Sequence, residues 1–352
     1  MTELLVGTKK GLFVLEGEPG AAFDVTARAF AGEPIEYAMR DPHSGRTLAT
    51  MTSPWYGPKI FYTDDPVAGG WEQAQGLELP EGALERMWVI VPDDDGTLYA
   101  GGDPGVLFAS HDGGVTWELN RTLWEHPTRP LWQPGGGGLC LHSIAPTVGT
   151  PGRLALGISA VGVWLTDDAG TSWRHGNRGL RARYLPDDAP EDTINLCVHD
   201  LQRAAKDPDR LFMQFHGGVY RSDDAGESWT DIGAGLPSDF GFPLVLDPAD
   251  PDSAYVIPLK GAEDRVTPEG RVAVYETRDA GESWTARGDG LPAEHAYLTV
   301  LREAFDRGGE GEALELYFGA TSGDVFGSGD AGGSWGCAAA RLPPVYSLRV
   351  AA

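Results

Sequence analysis

The chain has 352 residues, 49 of them glycine and 26 proline, and its 52 acidic against 27 basic residues give a net charge of −25. The acids are scattered and no Lys/Arg cluster occurs, which argues against nucleic acid or an anionic membrane as partner and for a small-molecule or carbohydrate ligand that is neutral, cationic or metal-bound. The opening MTELLVGTKK has no apolar leader segment and no run approaches the ~20 apolar residues of a spanning helix. Three cysteines without framework spacing, Cys140, Cys197 and Cys337, point to a reducing cytoplasm.

In chain order the predicted elements repeat one plan: a strand, then two strands joined by a tight Gly turn, then an eight-residue box. The paired strands read LLVGTKKGLFVLEG from Leu4, LATMTSPWYGPKIFYTDD from Leu48, LYAGGDPGVLFAS from Leu98, LALGISAVGVWLT from Leu154, LFMQFHGGVYRS from Leu211, AYVIPLKG…GRVAVYET from Ala254 and LYFGATSGDVFGS from Leu316. Alternating apolar runs around Gly turns are the hairpin signal. Intact boxes begin at Ser110, Thr166, Ser222, Thr277 and Ser328, at steps of 56, 56, 55 and 51 residues, and read Ser/Thr-x-Asp-x-Gly-x-Ser/Thr-Trp; a stretched one closes on Trp71. Such a period means a repeat architecture.

A further strand, the innermost of each unit, precedes each phrase: residues 35–41, 87–93, 141–147, 198–202, 242–247 and 297–303. The first phrase has only three residues before it, and its missing strand is VYSLRVA at 345–351. A chain that starts on strand two and ends on strand one predicts an all-β, seven-bladed β-propeller of four-stranded antiparallel blades spanning 1–352, closed by pairing its C-terminal strand with the N-terminal blade.

The boxes resemble the Asp-box, or BNR, repeat of the sialidase-like superfamily, over essentially the whole chain. That resemblance implies a turn joining the third and fourth strands of a blade, with the Asp accepting turn hydrogen bonds, the Trp packed between blades, and both remote from any active site. VGTKKGLF at the start, SDFGF (238–242), LPAEHAY (291–297) and LPPVY (342–346) look like the uncharacterised single-domain bacterial branch. Photosystem assembly factors and reducing-end xyloglucan hydrolases use similar boxes, but the first resemblance implies a basic patch that this sequence lacks, and the second a secreted protein of two paired propellers. Sialidase activity itself is not expected. The chain lacks Phe/Tyr-Arg-Ile-Pro near its start, and no arginine triad can be placed at the ring from sequence.

If the boxes lie on one face, the opposite face is built from strand two–three turns and from the connectors entering each innermost strand. Long connectors fall there, at 120–138 and 174–193, with an insertion at 259–271. They bring Trp55, Tyr56, Trp124, Trp132, Arg183, Tyr184 and Phe240 to that face, either as a binding surface or packed by one another. Aligning the innermost strands puts Tyr346, Glu36, Trp88, His142, His199, Phe242 and Tyr297 at the channel mouth, with Gln214 and His216 beside them. His142, His199 and His216 are the expected metal ligands or acid/base groups, for Zn, Mn, Fe or Cu. Glu36 and Tyr346 are the expected catalytic assistants, and Trp88, Trp132, Arg183, Tyr184, Gln214, Phe242 and Tyr297 the expected substrate contacts. Cys140 and Cys197 each precede a histidine by two residues and share its side of the strand. A zinc site of these two cysteines and two histidines and small apolar packing are both open for them, with packing favoured. The expected function is a hydrolase or lyase acting on a small polar or glycosidic substrate at the mouth. The alternatives are a ligand- or protein-binding propeller without chemistry and a structural platform.

Overall fold

The computed structural model describes residues 1–186, 190 and 193–351. Five residues of the 174–193 connector, 187–189 and 191–192, lie outside that set. Seven four-stranded sheets follow one another around a channel, so the chain is an all-β seven-bladed propeller. Blade one is Thr2–Thr8, Gly11–Gly17 and Asp24–Ala29, with Val345–Ala351 as its innermost strand. Blades two to seven run in sequence order, and their innermost strands are Ile35–Arg40, Arg86–Pro92, Leu141–Thr147, Val198–Arg203, Phe240–Leu246 and Phe305–Gly308. No helix among the described residues is long and apolar enough to cross a membrane.

The inner strands are covered on both faces by neighbouring blades and read as continuous apolar runs; all seven residues of Phe240–Leu246 are buried. The fourth strands lie at the rim, and four of them are two residues long and mostly solvated: Glu72–Gln73, Glu118–Leu119, Arg174–His175 and Thr230–Asp231. Short outer strands limit the exposed edges along which another chain could add.

Ring closure is antiparallel. Leu4 pairs with Val350 and Val6 with Leu348. Arg349, on the closing strand, ties three blades together. Its Nε donates to Tyr37 Oη of blade two at 2.8 Å, and one terminal nitrogen donates to the Glu303 carbonyl at 3.0 Å. The other forms an ion pair with the Glu303 carboxylate at the entry to blade seven.

The boxes lie between third and fourth strands and work as turn clips. In blade five, Asp224 Oδ1 accepts from the Ser228 amide at 2.8 Å and the Ser222 hydroxyl at 2.9 Å, while Oδ2 accepts from Ser228 Oγ at 2.6 Å. Ser222 Oγ in turn accepts from the Gly226 amide at 2.9 Å. Gly226 sits at φ 97°, which explains the recurring glycine at that place of the box. The box tryptophan connects blades: the Trp229 amide donates to Arg178 O at 2.9 Å and its ring N–H to Gly176 O at 2.8 Å, both on blade four. In the stretched box Asp65 keeps the clip, accepting from the amides of Val67 and Ala68 at 2.8 and 3.0 Å.

One innermost strand differs from the sequence expectation. Blade seven begins at Phe305, which pairs with Phe318, and not at residues 297–303. That stretch is held instead by the insertion of blade six: the Thr267 amide donates to Leu298 O at 3.0 Å and the Ala296 amide to Gly270 O at 2.8 Å. The Thr299 carbonyl accepts from the Thr321 amide of blade seven at 2.9 Å, but with Leu298 turned to the insertion the segment forms no ladder with that blade. Tyr297 is 64% exposed and is not a member of the channel ring.

Removing residues 345–352 strips blade one of its inner strand and Glu303 of its cation, so the truncated chain should be insoluble or lack a cooperative melt; expression with sedimentation and calorimetry checks this. Asp224→Ala should cost about 1–3 kcal/mol, through turn donors left unsatisfied. The aspartates also set an acid limit. Hydrogen bonds from the Ser172 hydroxyl and amide hold Asp168 down to about 2, against about 3.9 in an unfolded chain. A depressed native pKa contributes stability above the unfolded value and loses it as pH falls through the native one. The urea midpoint should therefore decline from about pH 4 toward 2, and less steeply in Asp168→Asn.

Candidate functional site at the channel mouth

The face opposite the boxes gathers its side chains by one local device. In blade two, Ile35 pairs with Met51 and Tyr37 with Thr50, so Glu36 is an extra residue without a partner across the ladder. The same one-residue bulge falls at Trp88, at His142 and at His199. It falls at Tyr346 in blade one, and within Phe242–Pro243 in blade six. A bulge bends the strand and re-aims the side chain. Six blades thus deliver one residue each to the mouth, and they are six of the seven that strand alignment selected. In the seventh blade Arg302, in the entry coil, takes the place assigned to Tyr297.

Arg302 is the main residue that sequence reasoning missed. Its guanidinium lies 4.9 Å from the Phe242 ring centre and 5.7 Å from that of Trp88, rings of blades six and three. Arg86 covers Trp88 at 4.6 Å and Arg265, from the blade-six insertion, covers Phe242 at 5.5 Å. Three arginines do stand at the mouth, contrary to the expectation from sequence. Their positions, in two connectors and at the start of a strand ahead of its bulge, carry no repeat signature. Opposite them Glu36 reaches Arg86 at 3.6 Å and is 10% exposed; burial raises its pKa against the pull of Arg86 and of the Thr52 hydroxyl. Burial and the Glu36 charge raise the Tyr346 phenol. Glu36, Arg86, Trp88, Arg302 and Tyr346 share a cavity of about 300 Å³.

The histidines divide. His142 is buried, with Nδ1 3.0 Å from Ser143 Oγ and Nε2 3.0 Å from both Ser159 Oγ and Val198 O. Both ring nitrogens are occupied, and burial keeps the ring neutral by pulling its pKa well below the ordinary value. His199 and His216 face each other at 5.3 Å between ring centres. The Gly241 carbonyl can only accept, so His199 Nδ1, at 2.6 Å from it, carries the hydrogen and Nε2 keeps a lone pair. The third member of this group is Cys197, whose sulfur and the two imidazoles offer ligand atoms all within 4.8 Å of one another. The His216 amide donates to Cys197 O at 3.0 Å, and Tyr184 Oη accepts from the Cys197 amide at 3.1 Å, so backbone bonds hold the group in place.

The other expected contacts spread out. Tyr184 packs edge-on against His216 at 5.6 Å, and Arg183, largely exposed, pairs with Asp239 at 2.5 Å; with His216 and Phe240 they line a second cavity of about 350 Å³ on this face. Gln214 is buried and spends its amide on the carbonyls of Phe215 and Gly218, at 2.9 and 3.1 Å. Trp132 is buried against Trp164 and Arg129 and packs the 120–138 connector onto the blades. Trp55 and Tyr56 stand 84% and 75% exposed on the strand two–three turn of blade two. Cys140 is buried near Asp103 and Gly137 and is not part of the Cys197 group.

No protein-family model matches the chain, and no curated protein matches it in sequence. Solved structures do match in fold. An ancestral GH74 enzyme superposes with TM-score 0.57 at 15% identity over 98% of this chain, which spans only 39% of that enzyme. Apo AztD from Citrobacter koseri gives 0.55 at 12% identity, covering 99% of this chain and 97% of its own. YCF48 bound to D1 peptide gives 0.52 at 12%, covering 91% and 85%. At such identities the likeness establishes the propeller fold, and this fold hosts both glycoside hydrolases and peptide binders.

Proposed function

We propose that the mouth opposite the boxes binds a small polar molecule bearing a carboxylate and acts on it as a hydrolase or lyase. The observation behind this reading is Arg302. Its Nε is buried without a hydrogen-bond partner, and no carboxylate lies within ion-pair distance of its guanidinium among the described residues. The adjacent Glu303 is engaged by Arg349. Removing a charge from water costs several kcal/mol, and the two ring faces, at about 0.5–2 kcal/mol each, offset only part of it. Arginine does not escape that cost by losing its proton. Three guanidiniums, Arg86, Arg265 and Arg302, stand with Glu36, which Arg86 pairs, and Glu303, which Arg349 pairs, so the mouth carries local positive charge in a chain of net charge −25.

A carboxylate suits the site better than a phosphate. Its two coplanar oxygens match the guanidinium fork, and Glu36 on the same cavity wall opposes any further negative charge. Glu36, with its raised pKa, and the Tyr346 phenol are the groups to exchange protons with the bound molecule. A second reading, binding without chemistry, draws on the aromatic lining of Trp88 and Phe242 and on the neighbour with a bound peptide.

Titration of the protein with lactate, gluconate and inorganic phosphate, followed by tryptophan fluorescence and calorimetry, tests the proposal. A hydroxycarboxylate should bind saturably, and Arg302→Met should weaken it by about tenfold or more, the worth of a charge-assisted hydrogen bond. The same variant should melt about 1–3 °C higher, because a half-buried cation without a counter-ion is gone. Carboxylate affinity unchanged in a folded Arg302→Met would overturn the reading. Glu36→Gln that keeps binding but loses turnover would favour the enzyme over the binding module.

A further inference from the structure

Cys197, His199 and His216 come from two adjacent pieces of blade five, the start of its inner strand and the turn between strands two and three, and they converge on the mouth. Spacing of two places Cys197 and His199 on one side of the strand, and the bulge at His199 turns its ring toward His216. Each member offers a donor atom that the fold leaves available. His199 Nε2 retains its lone pair because Nδ1 serves Gly241. His216 is half-buried between Tyr184 and Phe240, at 5.6 and 5.5 Å between ring centres. Cys197 is half-buried and is not in a disulfide.

We infer that these three residues form a metal site of one thiolate and two imidazoles, with one position open toward the channel mouth, suited to Zn²⁺. Metal–sulfur and metal–nitrogen bonds of about 2.3 and 2.0 Å require donor separations of about 3.3–3.8 Å in a tetrahedron. The donors stand within 4.8 Å of one another, so the widest pair would have to close by about 1–1.5 Å, a change within reach of side-chain rotation. Mixed thiolate and imidazole ligands favour zinc or copper over calcium or magnesium. Three protein ligands are the number that catalytic zinc sites employ, the fourth place being left for water or substrate.

One feature beside the group fits a loaded site. The Gly241 carbonyl is the partner that fixes the ring and tautomer of a ligating histidine. A thiolate cancels one charge of a divalent ion, so metal and Arg302 together present positive charge to an anion. This inference rests on the proposed function for its substrate, a carboxylate held at Arg302, and adds the Lewis acid that would polarise it.

The test uses the metal alone. Protein purified without affinity tags or chelators is analysed for bound elements, stripped, and titrated with Zn²⁺ and with Co²⁺. One equivalent should bind, and the cobalt form should show a thiolate-to-metal charge-transfer band together with tetrahedral ligand-field absorption. Cys197→Ser should abolish the charge-transfer band, His199→Ala and His216→Ala should each weaken uptake by about tenfold or more, and Cys337→Ser should leave the spectrum as in the parent. Retention of fold is read from the melting curve, and Cys197→Ser, a near-isosteric change, keeps the test decisive if a histidine variant fails to fold. Absence of uptake at millimolar metal, or a charge-transfer band that survives Cys197→Ser, would overturn the site. The two proposals fail separately. Hydroxycarboxylate binding to a protein that takes no metal would leave the Arg302 reading standing alone, and cobalt binding without carboxylate binding would do the reverse.

Discussion

Everything at the mouth depends on the pairing of the last strand with the first. Seven sheets in sequence would end in an open edge and a wedge of solvent along the channel. The ladder between Val345–Ala351 and Thr2–Thr8 closes the circle and places blade seven beside blade one. The closing strand contributes more than backbone bonds, because Arg349 holds Tyr37 of blade two and Glu303 ahead of blade seven in one buried cluster. Glu303 in turn sits next to Arg302. With Glu303 committed to Arg349, Arg302 is left without a carboxylate at the centre of the mouth, so the closure of the ring and the charge of the site are parts of one arrangement.

The bulges convert a repetitive scaffold into a site of varied chemistry. A regular inner strand alternates its side chains between the two neighbouring blades, both apolar and close-packed, and has no place for Glu36, His199 or Tyr346. One extra residue breaks the alternation and gives six of the blades a single position outside the regular packing against the neighbouring blades. Stability then rests on the residues before and after the bulge, such as Ile35 and Tyr37, which are buried. The inserted residue is left to meet the needs of the mouth. The box clips lie on the opposite face, in blades two to seven, and can hold the rim while the mouth varies.

Buried ionisable groups in the channel are arranged so that few charges go unpaired. His142 and His199 are kept neutral by burial, and burial together with the Glu303 charge raises Asp200 well above the usual carboxylate range. Asp200 still accepts the Leu244 amide at 2.9 Å. Arg302, which meets ring faces and no carboxylate among the described residues, is the cation of this kind that stands at the mouth, where a ligand can supply the missing partner.

The sequence by itself determined the architecture. A period near 55 residues, a hairpin before each box and the mismatch between the first and last units were sufficient to give seven blades, their closure and the face that carries the long connectors. These features are local or periodic, and each repeat confirms the next. Six of seven ring residues were also legible, because their strands share one register. The tertiary structure decided the rest. Tyr297 lost its place because the blade-six insertion, through Thr267 and Gly270, captures the backbone that would otherwise have been the inner strand. His142 was separated from His199 by its bonds to Ser143, Ser159 and Val198, and Cys197 was brought into the group in its place. Arg86, Arg265 and Arg302 occupy non-equivalent positions of three blades, so no repeat alignment brings them together. They meet only when the ring closes, around rings contributed by Trp88 and Phe242 from opposite sides of the channel.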